Sequence, residues 1–528
     1  MMKKILSLLI VLLIITGCAP DEVLTVDPET YESLSVDELE EKLIDSRVDK
    51  LEGQVFYNIF PKSFADSNGD NRGDIEGITL SLDYLDNLGI KGLWLNPIHP
   101  SPTYHRYDVT DYLAVDPELG TIDDFVELIE QAHEREMVVI MDMVLNHSSS
   151  SHPWFQKAIN GEEPYVDYYR IVKDEDFTSD LYPNREGWYH LENKGIWYYA
   201  AFWSEMPEFN ADSVELRIEF RKILKYWLDL GVDGFRYDAA YHLYDSAEAE
   251  IRTPTMQRNQ QFWLEMKDYV KSINPEAYVV AEVWSDSKTV QAYSSGFDSL
   301  FNFDFATKVL EGVNRGQPLE ILTSILNHQR AMTERNPNFL DAIFLSNHDQ
   351  PRVMTVFGND RNKMNLASSI LLTMPGNPYI YYGEELGYLG NKPDEQIREP
   401  FLWGEGSRVT TPLWEPIKFN TNTADVQAQQ QDSNSLYHHY RSLIHIRHEN
   451  EALLKGEMSF LNISSNVLAY ERTSENQRMV ALHNFSNQRF VFDFNHEGRV
   501  VFQTKAGSFF NKQVVIEPYE SILIEVND

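Results

Sequence analysis

Short apolar runs alternate with longer segments of helical periodicity from Gln54 onwards. Eight of these runs are apolar where they begin and polar where they end, which is typical of strands buried on both faces. Helical patterns such as TIDDFVELIEQAHERE separate them, and Thr121 stands at the N-cap position of that pattern. Eight strand–helix units predict an α/β fold, a TIM (β/α)8 barrel, with chemistry at the C-terminal ends of the strands. The runs are QVFYNIF, KGLWLNPI, MVVIMDMVLNH, VDGFRYDAA, AYVVAEVW, SLFNFDF, DAIFLSNHD and PYIYYGEE.

Two regions depart from the barrel pattern. About sixty residues between His147 and Asn210 are rich in aromatic side chains, so they are too apolar for disorder and too long for a simple loop. We predict that they form a small domain inserted after the third strand. After Asn450, short alternating runs predict a C-terminal antiparallel β-sandwich. The predicted boundaries are 51–147 and 209–450 for the barrel, 148–208 for the insertion and 451–528 for the sandwich.

The first residues predict an export signal. Lys3 and Lys4 precede an apolar run of about eleven residues, which is too short to span a bilayer but suits a signal peptide over 1–17. The run leads to Cys18, the only cysteine, and a small-residue site ending in cysteine resembles the bacterial lipoprotein signal. Lipidation there would anchor the protein to a membrane, at the cell surface or outside the cell; the alternative is a plain signal peptide. An acidic tether is predicted over 18–50, within which SVDELEEKLIDSRV favours a short amphipathic helix.

An excess of acidic residues restricts the partners. The 82 Asp and Glu residues outnumber the 45 Lys and Arg residues, for a net charge of −37. This charge repels nucleic-acid phosphates and anionic lipid headgroups, so we expect no nucleic acid as a partner and favour a neutral or cationic one. Solubility is the alternative reason for the acidity.

The stretch DSNGDNRGD places oxygen donors at alternate positions. Calcium prefers six to eight oxygen ligands, and a tightly wound loop aims every second side chain inward while a backbone carbonyl fills a gap. The loop lacks the Gly and Glu positions of an EF-hand, and an ordinary polar turn is the alternative. The donors would be Asp66, Asn68, Asp70, Asp74 and the carbonyl oxygen of Arg72.

Three carboxylates follow separate predicted strands. Asp238, Glu282 and Asp349 stand near the strand ends, which a barrel brings to one mouth. Arg236 lies two residues before Asp238, on the same strand face, where a guanidinium would keep that carboxylate ionised and oriented. Apolar neighbours in AEVW would raise the pKa of Glu282 towards that of a general acid. The two environments predict two roles.

The chain from about Gln54 onwards resembles the α-amylase family of glycoside hydrolases, family 13. The family's motifs occur in order: GDIEGITLSLDYLDNLGIKGLWLNPI, HRYDVTDY, DMVLNH, MPEFN, GFRYDAAYH, EVW, FLSNHD and GNPYIYYGEE. The resemblance implies a barrel domain A, an inserted domain B, a β-sandwich domain C and an α-glucan substrate, and we expect a monomer. By position, Asp238 matches the nucleophile, Glu282 the acid/base and Asp349 the carboxylate that stabilises the transition state. The residues matching the family's sugar contacts are Tyr107, His147, Arg236, His242, His348, Asp394 and Arg398.

The resemblance also implies a mechanism and metal sites. Two carboxyl groups about 5–5.5 Å apart would act by double displacement with retention. The DSNGDNRGD loop matches a calcium loop of many members, and Asn146 matches the residue that anchors a second calcium between domains A and B. Aromatic residues of the insertion would contact sugar rings, and the core of domain B is their alternative role. These residues are Trp188, Trp197, Tyr198 and Trp203.

Several features bear on the specific activity. Arg106 stands where the family commonly has Gly, and we expect its long side chain to narrow the sugar cleft or contact sugar hydroxyls. No extra domain precedes the barrel and TYHRYD lacks an acidic residue three before Tyr107, which favours an endo-acting α-amylase. MPEFN lies between the versions of several specificities. The alternatives are a neopullulanase-like, cyclomaltodextrinase-like or oligo-1,6-glucosidase-like hydrolase, a transglycosylase, and a non-catalytic glucan-binding lipoprotein.

Overall fold

A computed structural model describes most of the chain. It covers residues 27–32, 34–43, 48–182, 185–244, 255–318, 320–494, 496–505, 507–510 and 513–527. The predicted signal peptide and Cys18 lie outside the described residues. Within the described ranges, no helix is both long and apolar enough to cross a membrane.

Strands account for the barrel, the insertion and the C-terminal domain. The strands are β1 (Phe56–Ile59), β2 (Gly92–Leu95), β3 (Val138–Met143), β4 (Ile171–Lys173), β5 (Trp188–Leu191), β6 (Ile196–Tyr199), β7 (Gly234–Tyr237), β8 (Tyr278–Ala281), β9 (Ser299–Leu300), β10 (Ala342–Phe344), β11 (Asn377–Tyr381), β12 (Glu457–Phe460), β13 (Val467–Thr473), β14 (Arg478–Asn484), β15 (Phe490–Asp493), β16 (Glu497–Gln503), β17 (Ser508–Phe510), β18 (Gln513–Ile516) and β19 (Ser521–Asn527).

Helices separate most of the barrel strands. The helices are α1 (Val36–Leu43), α2 (Pro61–Phe64), α3 (Ile75–Leu80), α4 (Leu82–Leu88), α5 (Ile122–His133), α6 (Pro153–Ala158), α7 (Val214–Asp229), α8 (Thr255–Ile273), α9 (Ser287–Tyr293), α10 (Phe303–Arg315), α11 (Ile321–Thr333), α12 (Val353–Val356), α13 (Arg361–Thr373), α14 (Asp394–Ile397), α15 (Val426–Gln431), α16 (Leu436–Glu449) and α17 (Glu451–Leu454).

Eight parallel strands form the predicted barrel. Their spatial order is β10, β11, β1, β2, β3, β7, β8 and β9, and a parallel bridge between Phe301 and Ala342 brings the two edges together. Every residue of β1, β2, β7 and β8 is buried, as their continuous apolar character predicts. Thr121 caps α5 in a capping box with Asp124. The barrel prediction is confirmed.

The predicted insertion and C-terminal sandwich are both present. Between β3 and β7, the strands β4, β6 and β5 form an antiparallel sheet. In the C-terminal region, one sheet has the order β12, β13, β14, β19 and β16, and a second has the order β15, β18 and β17. The two sheets share a core that includes Leu482, Val514, Ile516 and Ile524. Facing apolar surfaces of this kind make a sandwich.

The described N-terminal residues are docked on the barrel. The predicted amphipathic helix is present as α1, and its Leu39 and Leu43 pack against Leu264 of α8. The hydroxyl of Tyr31 donates a hydrogen bond of 2.7 Å to Asp268. The described residues from 27 to 43 therefore lie against the barrel and bury apolar surface there.

Candidate active site

A buried arginine joins three carboxylates at the mouth of the barrel. Arg236 lies on β7, and its Nη1 donates hydrogen bonds of 2.7 Å to Asp142 and 2.7 Å to Asp238. Its Nη2 donates to Glu282. Tyr237 of β7 pairs with Ala281 of β8, so Asp238 and Glu282 leave neighbouring strands at the same level. Strand register and one guanidinium thus fix the two carboxylates together.

Asp142 is a site residue that the sequence interpretation missed. It lies on β3, is completely buried, and accepts hydrogen bonds from Arg236, from the Tyr107 hydroxyl at 3.0 Å and from the Trp94 ring nitrogen at 3.3 Å. Burial raises its pKa to about 6. An acidic residue inside the apolar strand VVIMDM is the signal that could have identified it.

Burial makes the carboxyl group of Glu282 a weaker acid than an exposed glutamate. The loss of hydration raises the pKa of Glu282 to about 7; Arg236 acts in the opposite direction, and the negative charges of Asp238 and Asp349 add to the rise. Glu282 is therefore mainly protonated below pH 7, as a group that donates a proton must be. The sequence interpretation anticipated this direction from the apolar neighbours of Glu282.

Asp349 has the opposite environment. Burial acts to raise its pKa, but His348 and then Arg398 outweigh burial and hold the pKa well below its usual range. Its two oxygens lie 2.9 Å from His348 Nε2 and 2.9 Å from Arg398 Nη2. Asp349 is therefore a fixed negative charge in the site.

Tyr107 and His348 form one face of the site. The Tyr107 hydroxyl lies 2.7 Å from His348 Nε2, and the two rings are nearly parallel with centroids 5.6 Å apart. Asn96, which sequence reasoning also missed, donates to the Tyr107 hydroxyl at 3.1 Å. These contacts hold the aromatic ring of Tyr107 at the edge of the carboxylate cluster.

The carboxylates open into a cleft of about 510 Å³. All three predicted acids and five of the seven predicted sugar contacts line it; the other two, Arg236 and His348, lie buried behind them. Asp394 pairs with Lys392 and lies 3.7 Å from Arg398. The structure therefore brings these residues together around one cavity. The lining members are Asp238, Glu282, Asp349, Tyr107, His147, His242, Asp394 and Arg398.

His348 supports the cleft from behind. It is fully buried, and it contacts Tyr107 and Asp349, which both line the cavity. The predicted sugar contacts that line the cleft are thus Tyr107, His147, His242, Asp394 and Arg398, while Arg236 and His348 hold lining residues in place.

Exposed aromatic rings of the cleft come from positions that the sequence interpretation did not select. Phe202 is 48% exposed and its ring lies 5.5 Å from His147 and 5.2 Å from His242. Trp284 is 56% exposed and stacks on Phe303. Both rings line the cavity and offer apolar faces to a ligand.

Most of the aromatic residues predicted for sugar contact pack within the insertion and do not line the cleft. Trp188 and Tyr198 are buried, and Trp197 stacks on Phe177 with centroids 4.3 Å apart. Trp203 is 46% exposed but does not line the cleft. Trp188, Trp197 and Tyr198 therefore form part of the core of domain B, which is the alternative role predicted from the sequence.

The expectation that Arg106 narrows the cleft is wrong. Arg106 is buried, and its guanidinium donates hydrogen bonds of 2.8 Å to Asp116 and 3.2 Å to Glu118. Its φ of 62° lies in the left-handed region, which explains why a Gly suits this position. The long side chain turns towards these two carboxylates because burying an unpaired charge in the cleft wall would be costly.

The DSNGDNRGD loop has the donor chemistry of a hard-cation site. Asp66 and Asp74 are buried, and neither pairs with a basic side chain of the described residues. Burial raises the pKa of Asp74, and the charge of Asp66 adds to this effect. The described chain contains no cluster of three or more His, Cys, Asp or Glu side chains arranged for a metal. A cation here would therefore draw on oxygens other than carboxylates as well, and the predicted donors Asn68 and Asp70 are both exposed.

Asn146 has a free oxygen in a buried position. It lies just after β3, is completely buried, and its Oδ1 has no hydrogen-bond partner among the residues that the structure describes. Its backbone carbonyl accepts from Phe209, at the end of the insertion. A buried orphan oxygen between the barrel and the insertion fits a cation ligand.

Comparisons with known proteins agree with this architecture. The alpha-amylase catalytic-domain model matches residues 58–456, and the model of the alpha-amylase SusG C-terminal domain matches residues 467–523. Alpha-amylase 3 of Dictyoglomus thermophilum is 40% identical over 481 residues, covering 89% of this chain and 93% of that protein. A 4-alpha-glucanotransferase of Thermotoga neapolitana is 33% identical, covering 83% and 97%. The crystal structure of alpha-amylase from H. orenii has a TM-score of 0.81 at 37% identity, covering 90% and 99%.

The barrel and its carboxylate cluster define an enzyme that acts on glycosidic bonds. The chain belongs to the α-amylase family, glycoside hydrolase family 13, and it carries a SusG-like C-terminal domain. Its similar proteins include a hydrolase and a glucanotransferase, so family membership establishes a hydrolase or transglycosylase.

Proposed function

We propose that the protein is a retaining, endo-acting α-amylase that hydrolyses internal α-1,4-glucosidic bonds of starch and maltooligosaccharides. The pair of carboxylates on Arg236 carries the retaining mechanism, and the similarity to an alpha-amylase over 89% of the chain supports the activity. Glu282 is protonated below pH 7 by virtue of its burial, while Asp238 beside it accepts a 2.7 Å hydrogen bond from the guanidinium. A proton donor and an oriented carboxylate on adjacent strands are what a double displacement requires.

In the first step, Glu282 gives its proton to the glycosidic oxygen as Asp238 attacks the anomeric carbon. The bond from carbon to the leaving oxygen breaks while the bond to the Asp238 oxygen forms. Water then attacks the same carbon, Glu282 takes the proton from that water, and the Asp238 carboxylate is released. Asp349 carries the fixed negative charge that stabilises the oxocarbenium-like transition state. Tyr107 supplies an apolar face for the reacting sugar.

An endo-acting hydrolase and the alternative activities would change soluble starch in different ways. Internal cleavage removes iodine staining after few cuts, so staining should collapse while reducing ends are still scarce. An enzyme that trims ends or prefers short oligosaccharides would build up reducing ends while staining persists. A transglycosylase would change chain lengths with little gain in reducing ends, and a non-catalytic glucan-binding protein would change neither signal. Staining followed against reducing ends over time therefore separates all four.

We also propose calcium in the DSNGDNRGD loop, with a second ion at Asn146. A cation that binds only the folded state stabilises it by mass action. Its charge would offset the cost of burying the negative charges of Asp66 and Asp74. Chelation should lower the unfolding midpoint by a few degrees in the wild type and by less in Asp66→Asn. A midpoint unchanged by chelator, with no calcium found by elemental analysis, would reject the proposal.

Export and membrane anchoring at Cys18 are a further part of the proposed function, with an α-glucan as the substrate, no nucleic acid as a partner and a monomeric state. Lipidation of the thiol would place the enzyme at the cell surface, where polymeric starch is available. The Cys18→Ser protein should move from the detergent phase to the aqueous phase in a detergent partition of whole cells. Identical partition of the two proteins would show that Cys18 carries no anchor.

A further inference from the structure

A second cavity lies between the barrel and the C-terminal sandwich. Its volume of about 460 Å³ is close to that of the catalytic cleft. One wall comes from the end of α10 and the start of α11, and the other from β12 and the loop to β13. None of the residues of the catalytic cleft lines this cavity.

The lining of this second cavity is uncharged and combines polar with apolar side chains. No charged side chain contributes to it, although the whole chain carries a net charge of −37. The amides of Gln317, Asn462 and Asn466 make no side-chain hydrogen bond with any residue in the described ranges. Each amide offers a donor and an acceptor, which is the pairing that adjacent sugar hydroxyls require. A charged ligand finds no counter-charge here.

An exposed aromatic ring stands at the same cavity. Phe460 ends the edge strand β12 and is 58% exposed. Met458, two residues earlier, lies on the same face of the strand and packs against the main core. This face is therefore apolar at both positions, but only Phe460 is exposed. Phe460 therefore presents an apolar ring beside amides that make no side-chain hydrogen bond within the described residues.

We infer that this cavity, defined by Gln317, Thr323, Phe460, Asn462, Ser464 and Asn466, is an α-glucan-binding site separate from the catalytic cleft. The ring of Phe460 packs on the C–H face of a glucose unit, and the amides bind its hydroxyls. The site holds one stretch of a long chain on the enzyme surface while another stretch occupies the cleft, which raises the local substrate concentration. The inference rests on the proposed function, because both assign an α-glucan to this protein.

The test measures retention on insoluble starch and hydrolysis of maltoheptaose separately. In a Glu282→Gln background, which stops hydrolysis during sedimentation, Phe460→Ala should weaken binding to starch granules about tenfold. Asn462→Ala combined with Asn466→Ala should weaken it in the same direction, and Phe460→Tyr should retain binding. With Glu282 present, Phe460→Ala should leave kcat/KM on maltoheptaose unchanged, because the short substrate uses only the cleft. Val491→Ala, at an equally exposed position (56%) on the sandwich, is the matched control.

Equal granule binding by the wild-type and Phe460→Ala proteins would overturn the inference, as would an equal loss caused by Val491→Ala. A surface used by a second copy of the chain would give the first of these results. Thr323→Glu adds a charge on an exposed helical position of the lining and should weaken granule binding without affecting the fold. If maltoheptaose is not hydrolysed but Phe460-dependent retention persists, the proposed function fails and the binding site stands.

Discussion

Asp238→Asn is expected to lower kcat on soluble starch by about 10⁴-fold or more. The amide has almost the same shape as the carboxylate but cannot form the covalent bond to the anomeric carbon. Because Arg236 would still contact Asp142 and Glu282, the fold should be retained. The measurement is kcat from reducing ends in highly purified protein, with the unfolding midpoint compared with that of the wild type.

Added azide provides the control for this variant. In Asp238→Ala, azide can enter the space left by the carboxylate and attack from the same side, so activity on an α-glycosyl fluoride should return and the product should be a β-glycosyl azide. Near-wild-type activity of Asp238→Asn, with a normal midpoint, would remove Asp238 from the mechanism.

Glu282→Gln is expected to lower kcat/KM on starch by about 10²–10⁴-fold and to change its pH dependence. In the wild type, the proton donor is lost as the pH rises through the pKa of about 7, so kcat/KM should fall above that pH by about tenfold per pH unit. Gln has no proton to lose in this range. The alkaline decrease should therefore be absent from the variant.

An aryl α-glycoside with an acidic phenol as leaving group separates acid catalysis from a general defect. Such a phenol departs without a proton, so the first step of Glu282→Gln should be close to the wild-type rate in single-turnover experiments. Retention of the alkaline decrease in the variant, or an equal loss on both substrates, would assign that decrease to another group.

The sequence was sufficient for the barrel and for most of the site. Continuous apolar runs that turn polar at their ends specify buried parallel strands. Barrel closure then brings Asp238, Glu282 and Asp349 to one mouth independently of the loop conformations. The direction of the Glu282 pKa could be anticipated from its apolar neighbours. The sequence signal of Asp142 is a single acid within an apolar strand, which is costly to bury without partners.

Other features depend on contacts between distant segments, which no local pattern contains. The direction of the Arg106 side chain is set by Asp116 and Glu118 together with a left-handed backbone. The docking of α1 depends on Leu264, more than two hundred residues away in the chain. In the insertion, the fold of the β4–β6 sheet decides which aromatic side chains reach the cleft. Phe202 lines it, whereas its neighbour Trp203 does not.

The central claim is that Asp238 forms a covalent bond with the cleaved sugar, and trapping that intermediate tests it most directly. A 5-fluoro-α-glucosyl fluoride reacts in the first step and slows the second, so the glycosyl-enzyme should accumulate. Peptide mapping by mass spectrometry should then find the added sugar on the peptide that contains Asp238, and Asp238→Asn should show none. A label on another carboxylate, or turnover of this substrate with no covalent adduct at any time, would contradict the mechanism proposed for this protein.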